Sequence, residues 1–288
     1  MKLRGDQLKM LRKNKGLSQK QLAAGICTQA TVSLIEKKGN VPSMQILTQL
    51  CARLGVSIDT ILIDENQVLT DVFETINQLI LQKKYDAATN QLNNIGIKQL
   101  RQTYDKQRYY YFLGMLQLNQ NENYDEALFN FELVLKQFTQ AGDQIYQIMA
   151  TIAAGNTWFY KHNQVNAEKL ATQATVLLEQ IDPKTDYYKL IASYVSLAQL
   201  HQHIDQMGNA LQLNNVALNL CRQYETLFLI DEVYLQLGDC NLKMGNVDET
   251  QKNWQIAASL SIVNQHAELQ QKISLRLHGE GLNKKSGK

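Results

Sequence analysis

The sequence predicts an all-α protein in two parts: a bundle of five short helices over residues 1–64 and a right-handed solenoid of about five helix pairs after it. Three observations carry that expectation. Only two of 288 residues are proline, which permits long uninterrupted helices. Apolar residues recur at helical spacing between capping residues. A self-similar pattern then recurs at roughly forty-residue intervals beyond residue 70, the signature of stacked repeats. With 44% hydrophobic residues, the chain can bury more than one core.

The first element runs from Asp6, with Leu8 and Leu11 on one face and Gly16 as its stop. Ser18 is placed to cap a second helix containing Leu22 and Ala23, and Gly25 breaks it. Thr28 is placed to cap a third, whose Val32 and Ile35 face inward and leave Gln29, Ala30, Thr31, Ser33 and Leu34 more exposed. Pro42-Ser43 opens a fourth helix (Ile46, Leu47, Leu50, Leu54), and Ser57 a fifth (Ile58, Ile61, Leu62). Five short helices in some 60 residues is the size of a compact DNA-binding domain.

Charge supports that reading. Residues 1–64 hold 10 Lys/Arg against 4 Asp/Glu, leaving 19 against 23 for the rest. The positive charge is concentrated where a polyanion would meet it. No run of 18 apolar residues occurs and the N-terminus carries no signal-peptide pattern, so a soluble cytoplasmic protein without membrane contact is expected. Cys27, Cys51, Cys221 and Cys240 lack metal-ligand or disulfide spacing, and most are expected as small core residues. No metal or cofactor is expected.

The segments Leu17-Ser18-Gln19-Lys20-Gln21-Leu22-Ala23 and Thr28-Gln29-Ala30-Thr31-Val32-Ser33-Leu34-Ile35-Glu36 resemble the helix-turn-helix of lambda-type and 434-type repressors, the Xre class, over residues 5–63. The resemblance implies that the third helix enters the major groove. It makes Gln29 the best base reader, since a carboxamide pairs bidentately with adenine. Thr31 and Ser33 are weaker candidates, and Ala30 stands where relatives often carry a longer polar side chain. Gln19 matches a phosphate-contacting position, and Lys37 and Lys38 are placed to add backbone contacts. Arg12 and Glu36 match an internal salt bridge and are read as structural.

Beyond a linker at residues 65–70, the anchor residues Ala88, Ala127, Ala167, Ala210 and Thr250 each follow a turn-like segment, and Ile76, Gly114, Gly155, Ala198 and Gly238 precede them by twelve or thirteen positions. Small residues at four of these five let paired helices approach closely. The pattern over residues 71–280, with a tail at 281–288, resembles tetratricopeptide repeats with longer links. Such a solenoid offers a groove lined by the first helix of each repeat. The register after the small residue places Asn77, Met115, Asn156, Gln199 and Asp239 there, with Phe73, Ile152 and Phe159 one turn away. Carboxamides both donate to and accept from a bound peptide backbone, and apolar neighbours take its side chains.

An Xre-type domain followed by five such repeats resembles the RNPP group of peptide-sensing regulators from Gram-positive bacteria, PlcR-like members above all. The resemblance implies a homodimer that binds a two-fold symmetric DNA operator and senses a short signalling peptide. It assigns Asn156 to the peptide backbone and places Lys83 near a lysine that meets an acidic peptide group. Repeats that bind a protein partner instead are the alternative. Catalysis is not expected, because the chain has no phosphate-binding glycine loop, no GxSxG and no HExxH.

Overall fold

In a computed structural model, residues 2–63, 65–120, 122–139, 144–181 and 185–278 are described. They form an almost wholly α-helical protein of two compact units, residues 1–78 and 79–288. No helix among them is long and apolar enough to cross a membrane.

In the first unit, α1 (Gly5–Asn14), α2 (Gln19–Ala23), α3 (Gln29–Lys38) and α4 (Met44–Leu54) fall where the capping residues put them. Ser18 Oγ accepts the Gln21 N–H at 3.1 Å while Gln21 Oε1 accepts the Ser18 N–H at 2.7 Å, a reciprocal cap that starts α2. Thr28 Oγ1 accepts the Thr31 N–H to start α3, and a left-handed Gly39 ends it. Leu8, Leu22, Val32, Ile35, Leu47, Leu50 and Ile61 make the core. Gly5 lets α1 lie against α3, since a Cβ there would stand 2.2 Å from the Ile35 carbonyl oxygen.

The expected fifth helix is not formed. Ile58–Thr60 makes one 3₁₀ turn, and the chain then enters a short strand, β2 (Leu62–Ile63), antiparallel to β1 (Lys2–Leu3). The stretch is rich in β-branched residues, which favour extended backbone, and it is too short for a nucleated helix. The expected linker at 65–70 is also helical, because α5 runs unbroken over Glu65–Leu81.

The second unit continues through α6 (Tyr85–Asn93), α7 (Thr103–Asn119), α8 (Tyr124–Glu132), α9 (Ile145–Tyr160), α10 (Gln164–Glu179), α11 (Tyr187–His203), α12 (Met207–Gln223), α13 (Ile230–Lys243) and α14 (Val247–Val263). The helices pack as the pairs α7/α8, α9/α10, α11/α12 and α13/α14, and α7, α9, α11 and α13 pack consecutively. The repeat register is confirmed at its tightest points. A Cβ on Gly114 would lie 2.5 Å from the Phe131 ring, and one on Gly238 would lie 2.3 Å from Trp254. The anchors Ala88, Ala127, Ala167, Ala210 and Thr250 are all fully buried.

Five residues before each anchor stands a left-handed residue: Lys83, Glu122, His162, Asp205 and Gly245. The extra length of the repeats goes into links such as the 3₁₀ turn Ile97–Gln99 and a π-helical extension of α8, Leu133–Gln137. A further helix, α15 (Ala267–His278), packs on α14 and follows the five expected pairs. The expected tail at 281–288 lies outside the described residues.

Candidate DNA interface and repeat-face site

The helix-turn-helix is locked by one buried carboxylate. Glu36 accepts from Arg12 Nε at 2.6 Å and from a second Arg12 nitrogen at 3.0 Å. Gln19 Nε2 donates to the same carboxylate at 2.9 Å, and Arg12 also donates to the Leu17 carbonyl. One group therefore ties α1, the start of α2 and α3. Burial opposes its ionisation, but the hydrogen bonds from Arg12 and Gln19 and the Arg12 charge outweigh that and hold its carboxyl below the usual range. Arg53, which sequence reasoning missed, donates to the carbonyls of Leu22 and Ala24 and so caps the far end of α2.

This geometry gives Gln19 a structural partner and leaves its expected phosphate contact open. One of its two amide N–H donors is spent on Glu36, and the second remains able to donate to a phosphate. Gln29 and Ala30, in contrast, are exposed at the start of α3, and Thr31 and Ser33 are half-buried. The Thr31 hydroxyl lies 2.9 Å from that of Thr28 and so has a partner within the cap. Lys37 and Lys38 are exposed in the last turn. Leu34 is 45% exposed between these polar residues, an apolar side chain suited to a thymine methyl. Eight basic residues of this region (Arg4, Lys9, Lys13, Lys15, Lys20, Lys37, Lys38 and Arg53) are exposed, and Arg12 is buried.

On the repeats, the half-buried Asn156 carries the best-defined polar geometry. Its Oδ1 lies 3.1 Å from His203 Nδ1, and its Nδ2 donates to the Ile152 carbonyl at 3.3 Å. His203 stacks on Phe159, with ring centroids 4.5 Å apart and planes 9° from parallel. Burial, and then the Lys272 charge, lower the His203 pKa, so at neutral pH the ring is neutral and able to share one proton with Asn156. Beside it lies a cavity of about 420 Å³ lined by Gln202, His203, Asp239, Trp254, Leu275 and Arg276 among others.

Other expected groove residues fall differently. Ile152 and Phe73 are core residues, 2% and 0% exposed, and offer no surface to a ligand. Asn77 is half-buried on α5, Gln199 is exposed and Met115 is half-buried. Asp239 faces the cavity but is already occupied: Trp254 Nε1 donates to it at 3.0 Å, and Arg276 forks it at 2.7 and 2.8 Å. Lys83 forms an exposed ion pair with Glu268. His203, Trp254 and Arg276 were missed by sequence reasoning. His203 was findable, since it lies one turn after Gln199 on the same face; Arg276 sits on a helix that the repeat pattern does not announce.

Residues 8–61 match the family model described as Helix-turn-helix. The comparison with curated protein sequences gave no match. Among solved structures, Bacillus thuringiensis PlcR in its apo form superposes with a TM-score of 0.65 at 17% identity, over 94% of this chain and 99% of that one. PlcR in complex with the peptide PapR7 and DNA gives 0.61 at 20% identity, over 93% and 98%. The apo competence regulator ComR from Streptococcus vestibularis gives 0.55 at 14% identity, over 94% and 96%. Residues 8–61 thus belong to the helix-turn-helix family, and the chain as a whole carries the fold that PlcR and ComR share.

Proposed function

We propose that this chain is a sequence-specific DNA-binding transcriptional regulator whose repeats bind a short signalling peptide and couple it to operator binding. The observation that carries the reading is the coexistence of two polar sites in one chain: the exposed Gln29 face of a capped, carboxylate-locked α3, and the Asn156–His203 pair beside an open cavity in the repeats. It is further supported by PlcR, which shares this fold and has been solved with a peptide and DNA together. Gln29, Ala30, Thr31 and Ser33, with Lys37 and Lys38, face the duplex. Asn156, Gln199 and Phe159 face the peptide, with Asp239 and Lys83 at its margins. One such domain reads only a few base pairs, so the regulator works as a homodimer on a two-fold symmetric operator. It acts in the cytoplasm, without catalysis.

The test is selection of random duplexes by the purified full chain, with and without a pool of synthetic heptapeptides. Enrichment of a two-fold symmetric sequence, altered by peptide, is expected. Equal retention of random and selected duplexes overturns the DNA reading, and selection indifferent to every peptide overturns the coupling.

A further inference from the structure

The helix α15 has two faces of opposite character. Leu269 and Ile273 are buried against Trp254 and Ala257 of α14 and hold it on the stack. Glu268, Lys272 and Arg276, spaced four apart, form a charged stripe along one side. Each member meets a charged or titratable group on another element, and for Lys272 and Arg276 that group lines the cavity. Glu268 pairs with Lys83 in the turn before α6. Lys272 is close enough to His203 to oppose its protonation. Arg276 makes a bidentate pair with Asp239 on α13 at 2.7 and 2.8 Å.

These contacts are exchangeable. The Lys83–Glu268 side chains are 55% and 62% exposed, and those of Arg276 and Asp239 are 29% and 26% exposed. Open ion pairs of this kind hold a helix weakly. Asp239, however, is a built acceptor: the indole N–H of the buried Trp254 fixes its carboxylate, and the planar fork of a guanidinium matches the two oxygens. The cavity beside it runs from Asp239 to His203, the partner of Asn156.

We propose that α15 is a displaceable internal occupant of the ligand site, with Arg276 filling a subsite of Asp239 and Trp254 that receives a basic side chain of the bound peptide. This rests on the peptide reading of the repeats. An arginine of the ligand replaces Arg276 bond for bond at Asp239, so that exchange is nearly neutral. Release of α15 uncovers Leu269 and Ile273, and the backbone contacts at Asn156 together with apolar burial of the ligand against Trp254 offset that cost, so that binding is coupled to release of α15.

The experiment uses the full chain as wild type, Arg276→Gln and Asp239→Asn, with two heptapeptide pools identical except for arginine or its uncharged isostere citrulline at one position. In the absence of peptide, Arg276→Gln is expected to speed amide hydrogen exchange of residues 267–278 at least tenfold while residues 187–263 stay protected. The arginine pool is expected to bind Arg276→Gln about tenfold more tightly than wild type and to lose its advantage over the citrulline pool in Asp239→Asn. Unchanged exchange of α15 in Arg276→Gln overturns the displaceable occupant. Equal binding of the two pools to wild type and both variants overturns the cationic subsite. Failure of both pools to bind any of the three proteins overturns the peptide reading itself, and the exchange measurement, which needs no peptide, separates that result from failure of the latch.

Discussion

Asn156 and His203 meet at 3.1 Å across α9 and α11, with the imidazole stacked on Phe159. Both carboxamide atoms of Asn156 are therefore engaged, one with His203 and one with the Ile152 carbonyl. Nδ2 keeps a second N–H and Oδ1 a second lone pair, and a peptide backbone can use both. Asn156→Ala is expected to weaken peptide binding by about 1 to 3 kcal/mol, roughly ten- to hundredfold. It should also abolish any peptide-dependent change in operator binding while leaving peptide-free DNA affinity intact. Calorimetry decides: unchanged peptide affinity rejects the role, and loss of DNA binding without peptide makes the residue structural.

Gln29 stands exposed at the tip of α3, one residue past the Thr28 cap. Gln29→Ala should cost about 1 to 3 kcal/mol on the selected operator and relax discrimination at one base pair. Fluorescence anisotropy on single-substituted duplexes measures both. A uniform loss across all duplexes would instead mark Gln29 as a backbone contact.

Arg12→Ala should destabilise the first unit by about 3 to 5 kcal/mol, because it strands the Glu36 carboxylate in the core. Glu36 also sets a pH dependence. Its folded pKa lies below its unfolded value, so its contribution is complete above the ordinary glutamate pKa of about 4.3 and is lost as pH falls through the lower folded value. Urea unfolding of wild type and Glu36→Gln should differ clearly at pH 7 and converge at strongly acid pH. An equal gap at both pH values would refute the ionised pair as the cause.

The small residue of each repeat is a steric requirement, and two glycines separate this from a general glycine effect. Gly238 faces Trp254 with no room for a methyl group, whereas Gly208 on α12 has open space around its missing Cβ. Gly238→Ala should cost about 1 to 3 kcal/mol by overpacking. Gly208→Ala should gain up to about 1 kcal/mol through helix propensity. Thermal unfolding of both variants is the check, and a shared sign would reject the distinction.

The caps at Ser18, Thr28 and Ser43, the Arg12–Glu36 bridge and the repeat anchors were legible because each rests on a local pattern or a fixed period. The groove residues were read less well. Phe73 and Ile152 each lie four residues before a groove-register asparagine, which on a helix of 3.6 residues per turn is a rotation of about 40°. That offset is enough to turn both into the core. The β1–β2 pairing joins segments some sixty residues apart and leaves no local signal. The Arg276–Asp239 fork escaped notice for the same reason, since its two halves lie 37 residues apart and one is on an unannounced helix.

The left-handed residues Lys83, Glu122, His162 and Asp205 bear on the order in which the repeats fold. None is a glycine, and Lys83 and Glu122 are not even among the side chains that tolerate the left-handed region best. A strained corner is expected to close late, when the two helices it joins dock. His162→Gly, which relieves the corner, should accordingly slow unfolding while leaving the refolding rate unchanged in stopped-flow experiments. Faster refolding would show that the corner forms early.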